Sequence, residues 1–455
     1  MAVIRKEPSI STTSFKWKQR IGYGISDFAC NLIWQMITLY LLFFYTDVMQ
    51  LSAASISLMF VMTRFFDGIT DLLVGYMIDH TNTKWGKSRP YFLFGAIPFA
   101  LFAYLCFRVP DISVSGKLLY AYVTYFGLSL AYTVVNVPMA SILPSLTNDT
   151  HERTALSTSR KFFGFLGATI VSAFSLMLVQ QLGGQDQALG FQRVMLIFGL
   201  ISCVLFVITF LNVKEINVIE KQHFSIKEII SSLKSNRPWL IFALNIIFMW
   251  TGYFMQTSTL VYYYTVVVGS AALSITIATI MSIVPMFANF FVPLLAKYFG
   301  KKKLFLIASS TQLAGIICIL LTQTNQSFIL IGAVISAIGY GVKESIYFSM
   351  QADPVDYGEW KTGMNLSGSI SAANGFLGKI AQALAGGVAG MLFSWSQYLP
   401  NSAIQSEKAI FAIQALYGYI PIILIAFSMI TMSFYKLDSQ FVVIKKNLEE
   451  RTRGR

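Results

Sequence analysis

Residues 53–78 read Ala53-Ala-Ser-Ile-Ser-Leu-Met-Phe-Val-Met-Thr-Arg64-Phe-Phe-Asp67-Gly-Ile-Thr-Asp71-Leu-Leu-Val-Gly-Tyr-Met-Ile78. Apart from three charges the stretch is apolar or weakly polar, and it exceeds the ~20 residues that a bilayer-spanning helix needs. On a helix, Arg64 stands three residues before Asp67 and Asp67 four before Asp71, which puts all three on one face. An ionisable group at the centre of a span costs at least about 2.5–3.5 kcal/mol, so such groups mark function. Two carboxylates one turn apart, with the Thr70 hydroxyl between them, make an oxygen-rich site for a proton or a hard monovalent cation; if the cation is Na⁺, Asp67 and Asp71 are metal ligands. A salt bridge from Arg64 to one carboxylate is the plainer reading, and it leaves the other carboxylate without a role.

The whole chain repeats the chemistry of this stretch. Its 455 residues are 55% hydrophobic and only 12% charged, against about 25% charged in soluble domains. A soluble protein with this apolar excess could not cover its surface; a lipid-embedded one need not. Apolar runs separated by turn and charge punctuation predict spans near 22–46, 53–78, 90–109, 118–145, 158–181 and 191–212, then 238–266, 271–297, 303–323, 327–351, 366–395 and 408–435. The expectation is an all-α membrane protein of twelve transmembrane helices in two six-helix bundles, residues 1–212 and 238–436, joined by a cytoplasmic linker, 213–237, and followed by a tail, 437–455.

Lys and Arg concentrate on alternate loops, the signature of cytoplasmic segments. The N-terminal arm carries Arg5, Lys6, Lys16, Lys18 and Arg20; the linker carries Lys214, Lys221, Lys227, Lys234 and Arg237; the tail carries Lys445, Lys446, Arg451, Arg453 and Arg455. Both termini are therefore expected in the cytoplasm. The net charge of +13 is a topology signal and not a nucleic-acid footprint. Gly75-Tyr-Met-Ile-Asp79 corresponds in place to Pro293-Leu-Leu-Ala-Lys297, and Asp149-Thr-His-Glu152-Arg153 to Asp356-Tyr-Gly-Glu359-Trp-Lys361, the weak internal symmetry that repeated bundles leave.

Further polar groups lie inside expected spans. Asp27 is followed by Asn31, Trp34 and Gln35 in the first; Tyr132 and Asn136 stand in the fourth; Arg160 opens the fifth. Carboxylate, amide and indole together suit a sugar, with acceptors for its hydroxyls and a flat surface for its ring. Lys379 lies mid-span in the eleventh helix, needs a counter-charge, and is expected to partner Asp67 as the coupling pair, with Arg64 beside them. Lys343 and Glu344 in the tenth diverge by about 100° on a helix and need not pair; a second gating or specificity pair is the available reading. Four scattered cysteines and three loop histidines form no metal or disulfide pattern, and no Walker-type loop or enzyme constellation is present. No enzyme activity and no resident cofactor are expected, only co-transported H⁺ or Na⁺.

Several segments carry a resemblance: Gly22-Tyr-Gly-Ile-Ser-Asp27, Tyr45-Thr-Asp47, Asp67-Gly-Ile-Thr-Asp71, Lys84-Trp-Gly-Lys-Ser-Arg-Pro90, Asn136-Val-Pro138, Asn236-Arg-Pro238 and Asp356-Tyr-Gly-Glu-Trp-Lys361. Through them the chain resembles, over nearly its whole length, the glycoside–pentoside–hexuronide:cation symporters of the major facilitator superfamily, with the melibiose and glucuronide permease branches nearest. The resemblance implies a multi-pass protein of the cell membrane that moves a sugar or glycoside with a monovalent cation, as a monomer. It implies cation ligation by Asp67 and Asp71 with Thr133 as a further ligand, a role for Lys379 near that site, and sugar contacts from Asp27 and Arg160. Asn136 replaces an Asp of melibiose permeases, which disfavours α-galactosides, and Thr70 replaces an Asn of the family's sodium site, which leaves Na⁺ and H⁺ both open. A lipid carrier of the same fold and a non-transporting sugar sensor are the alternatives.

Overall fold

The structure is a computed structural model describing residues 13–147, 150–215, 226–322, 325–351, 353–363, 367–400, 402, 404–437, 444 and 447. The centre of the expected linker, 216–225, and most of the expected tail lie outside the described residues. Among the described residues twelve long helices follow one another: α1 (Thr13–Met36, continued by π-turns at Ile37–Leu41 and Phe44–Val48), α2 (Ala53–His80), α3 (Arg89–Cys106), α4 (Val114–Ser141), α5 (Thr150–Gly183), α6 (Gln187–Asn212), α7 (Arg237–Tyr262, continued by a π-turn at Tyr263–Val267), α8 (Ala271–Phe299), α9 (Lys301–Leu321), α10 (Gln326–Met350), α11 (Ser367–Trp395) and α12 (Glu407–Gln414, continued through Ala415–Tyr419 and Ile420–Ser433).

Ten of them among the described residues, α3 to α12, are long and apolar enough to cross a membrane. The two that fall short are α1 and α2, the helices that carry Asp27 and the Arg64/Asp67/Asp71 row. The centre of the α2 row is hidden inside the molecule: Arg64 is 4% exposed and Asp67 1%. Charge that other helices cover lowers mean hydropathy without meeting lipid.

α1 and α5 both begin eight or nine residues before the apolar runs that announce them. The extra turns hold each other. Arg20 makes a fork to Glu152 at 2.8 and 2.6 Å, and Gln19 donates to the Leu146 and Lys214 carbonyls. At the same end of the molecule Glu215 accepts from the backbone amides of Lys87, Ser88 and Arg89, closing the start of α3, while the Arg89 guanidinium donates to the Phe210 carbonyl at 2.7 Å. The Trp-Gly-Lys-Ser-Arg-Pro loop is therefore a clasp on α6. In the second half Asn236 donates to the Pro354 carbonyl and caps α7, and Lys361 donates to Ser235, so the Asp-Tyr-Gly-Glu segment is a second clasp.

The two halves share a feature that loop comparison had passed over. Phe44-Tyr-Thr-Asp-Val48 ends the first helix and Tyr263-Tyr-Thr-Val-Val267 ends the seventh, each as a π-turn. Both close with the same bonds, Met49 N to Phe44 O and Leu51 N to Tyr45 O in one, Val268 N to Tyr263 O and Ser270 N to Tyr264 O in the other. Between the halves, α2 lies against α11 and α5 against α8. Close approach of α2 and α11 depends on Gly390, where an added Cβ would stand 2.6 Å from the Ala53 carbonyl oxygen.

Candidate functional site

α2 presents its charges toward α4 and α11, and each meets a different partner. Arg64 Nη1 donates to Asp67 Oδ2 at 2.6 Å and Nη2 to the Tyr125 hydroxyl at 2.5 Å; Ser129 donates to Asp67 Oδ1. Both Asp67 oxygens are thus occupied in a buried setting. One turn further, Thr133 donates to Asp71 Oδ1 at 3.1 Å and the Lys379 ammonium to Asp71 Oδ2. The Asp71 side chain is 34% exposed, so of the two carboxylates it is the one open to an incoming ion.

Lys379 therefore pairs with Asp71 and not with Asp67, contrary to expectation. The reason is rotation: Asp67 points toward α4, where Ser129 takes one oxygen while Arg64 of α2 itself takes the other, whereas Asp71 faces α11 at the depth of Lys379. Thr70 turns its hydroxyl back to the Asp67 carbonyl at 3.2 Å and hydrogen-bonds to neither carboxylate. Tyr125 and Ser129 were missed from the sequence. With Thr133 they repeat every four residues along α4, a one-face pattern that could have revealed them.

The second cluster centres on Asp27, 18% exposed at its side chain. Arg160 Nε donates to its Oδ1 at 3.1 Å, and Arg160 also reaches the Tyr23 hydroxyl, itself bonded to the Met139 carbonyl. Arg160 lies ten residues inside α5 rather than at its opening, because α5 starts at Thr150. Gly164 lets α5 come against the Asp27 carboxylate, since a Cβ there would collide with Oδ2. Asn31 donates to the Asp27 carbonyl at 2.8 Å. Trp34 stacks on Tyr132 at 4.4 Å and 18°, and Asn136 follows Tyr132 by one turn, half-buried. Gln35 turns away, toward Ser172.

The clusters approach each other at Arg64, whose guanidinium carbon lies 5.8 Å from the Trp34 ring centre. Carboxylate, guanidinium and indole thus run in sequence from Asp67 to the wall beside Asp27. On the side away from the N-terminus Ser172 meets Ser282 at 3.1 Å across the halves, and the cavity beside Arg64 and Thr38 has only about 50 Å³, too small for a sugar ring. Lys343, 1% exposed, donates to Gln312, leaving Glu344 to face Lys161 at 3.8 Å. The neighbours in sequence are not a pair.

A family model described as MFS/sugar transport protein matches residues 22–439. The chain is 38% identical over 441 residues to the isoprimeverose transporter of Lactiplantibacillus pentosus, covering 96% of this chain and 92% of that protein. It is 30% identical over 439 residues to the putative glycoside/cation symporter YagG of Escherichia coli (strain K12), covering 96% and 95%. In fold it is similar to a bacterial homolog of the human lysosomal transporter Spinster, with TM-score 0.66, 13% identity and coverage of 95% and 98%. The relatives are membrane transporters and not enzymes. With ten membrane-length helices, the charged rows of α1 and α2 and this match along almost its entire length, the chain belongs to the MFS/sugar transport family of multi-pass membrane proteins, in its glycoside–pentoside–hexuronide symporter branch.

Proposed function

We propose that this chain carries a sugar or glycoside into the cell together with H⁺ or Na⁺, by alternating access between two six-helix halves. α1 and α2 then cross the bilayer with the other ten helices, and both termini and the 213–237 segment lie in the cytoplasm. The observation that carries the reading is the Asp71–Lys379 ion pair, which ties a helix of one half to a helix of the other. A cation seated between Asp71 and Thr133 takes the place of the Lys379 ammonium and so releases that tie. Through Arg64 and Trp34 the same event reaches the wall of the pocket where Asp27, Asn31, Asn136 and Arg160 receive sugar hydroxyls. Coupling of this kind is reciprocal: whatever factor the cation adds to sugar affinity, the sugar adds to cation affinity. The membrane potential contributes about 2.3 kcal/mol per charge per 100 mV.

The polar side chains of Asp27, Asn31, Asn136 and Arg160 favour a hydroxylated cargo over a lipid, and the names of the relatives favour a glycoside. The test is ion movement in right-side-out vesicles on adding methyl glycosides and disaccharides. Uptake with medium alkalinisation or sodium entry supports the reading. Sugar entry that ignores both gradients, or sugar binding without any uptake, overturns it; the latter is the result a sensor would give.

A further inference from the structure

The C-terminal half holds a polar cluster that the cation and sugar sites leave unused. Glu344 is 8% exposed, its Oε2 has no hydrogen-bond partner, and its Oε1 stands 3.8 Å from the Lys161 ammonium. Beside it the rings of Tyr253 and Tyr340 lie parallel, 4.7 Å apart at 6°, with the Tyr340 hydroxyl next to the carboxylate. Three residues on from Tyr253, on the same face of α7, Gln256 is 2% exposed and neither its Oε1 nor its Nε2 is bonded. The large majority of buried side-chain polar atoms find a partner in folded proteins. A carboxylate oxygen and a whole carboxamide left open around one tyrosine pair therefore point to a ligand.

The placement says which ligand. Arg160 and Lys161 are consecutive on α5 and diverge by about 100°. Arg160 turns to Asp27 on α1, and Lys161 turns to Glu344 on α10. The two adjacent residues therefore join the Asp27 cluster on α1, in one half, to the Glu344 cluster on α10, in the other. Gln312 takes the Lys343 ammonium, which leaves Glu344 as a net acceptor. Such a wall takes hydroxyl donors and repels acids.

We propose that Glu344, Gln256 and the Tyr253–Tyr340 pair form a second subsite, which binds the uncharged second ring of a two-ring glycoside whose first ring lies at Asp27 and Arg160. Ring hydroxyls donate to Glu344 Oε2 and Gln256 Oε1, the Gln256 amide donates to a ring or hydroxyl oxygen, and Tyr253 offers an aromatic surface. The subsite rests on the symporter reading above and gives it a substrate class: neutral disaccharides before monosaccharides or diuronides.

The test is equilibrium binding to the purified full-length protein in nanodiscs, with matched probes: methyl β-xyloside and xylobiose, methyl β-glucoside and cellobiose, methyl β-galactoside and lactose. Wild type should hold the two-ring member of the pair it accepts at least tenfold more tightly than its one-ring partner. Glu344→Gln and Gln256→Ala should each remove about tenfold from two-ring binding alone, with Tyr340→Phe as a second, conservative probe of the same wall. Equal losses for both partners, or an unchanged ratio, overturn the subsite while leaving sugar binding intact; a change in transport rate without a change in this ratio assigns Glu344–Lys161 to gating instead. Absence of binding by every probe overturns the sugar reading itself, and the subsite with it.

Discussion

Tyr398, in the segment after α11, donates a 2.8 Å hydrogen bond to Asp47 at the far end of α1, across 351 residues of chain. Thr46 donates to the same carboxylate at 2.6 Å and meets the Tyr262 hydroxyl at 2.7 Å. Three elements from both halves thus converge on one buried acid, and under the proposed topology they close the external end. A hydrogen bond to a charged group contributes about 1.5–3 kcal/mol, or roughly 10–100-fold in a two-state equilibrium. Tyr398→Phe should shift the molecule toward an externally open form by about the lower of these factors. Labelling of Ser282→Cys by an impermeant maleimide, on a background without the native cysteines, should accelerate in intact cells. An unchanged rate would remove this network from the gate.

Gly390→Val should act in the same direction through sterics. Its side chain would enter the space of Ser57 and the Ala53 carbonyl, so α2 and α11 could not close. Uptake should fall by more than tenfold while sugar binding persists. Gly375→Ala on the same helix is the control, since a Cβ there meets nothing within 4 Å. Equal effects of the two changes would refute the steric account.

Asp71→Asn leaves the Lys379 ammonium half-buried without its counter-charge, and Lys379→Met does the converse. Each single change should lower thermal stability and folded yield. The double change should be milder than the sum, with an interaction of about 0.5–3 kcal/mol as contacting charges show. Asp67→Asn combined with Lys379→Met should instead be close to additive, because Asp67 is bound by Arg64 and Ser129. The reverse pattern would transfer the ion pair to Asp67.

Asp27→Asn should abolish sugar binding and leave cation affinity within a few-fold. Arg160 and Asn31 hold Asp27, and neither touches the Asp67 and Asp71 carboxylates. Calorimetry with each ligand separately measures both constants. Retained sugar affinity would exclude Asp27 from the pocket.

Lys221→Cys should resist an impermeant reagent applied outside intact cells and react in inverted vesicles. External labelling would overturn the proposed orientation of both halves.

Membrane residence was legible from composition, because lipid removes the need for a charged surface and the count of charges records that directly. The positions of Asp27, Arg64, Asp67, Asp71 and Lys379 were legible for the same reason: an ionisable group inside an apolar run stands out. So was the shared face of the α2 charges, since helix periodicity is a local property. Ten of the twelve expected span positions followed too, as α3 to α12 among the described residues, although α1 and α5 begin before their apolar stretches through the Arg20–Glu152 fork, a contact across 132 residues of sequence.

Which charge meets which was decided only by tertiary structure. Lys379 lies 308 residues from Asp71, and nothing in either local sequence distinguishes Asp71 from Asp67 as its partner. The choice depends on how far α11 is rotated and how deep it sits against α2, quantities set by Gly390 and its neighbours at the crossing. In the same way Lys343 and Glu344 are adjacent in sequence yet face Gln312 and Lys161, because successive side chains on a helix look in different directions. Sequence records that a charge must be answered; helix rotation and depth determine the side chain that answers it.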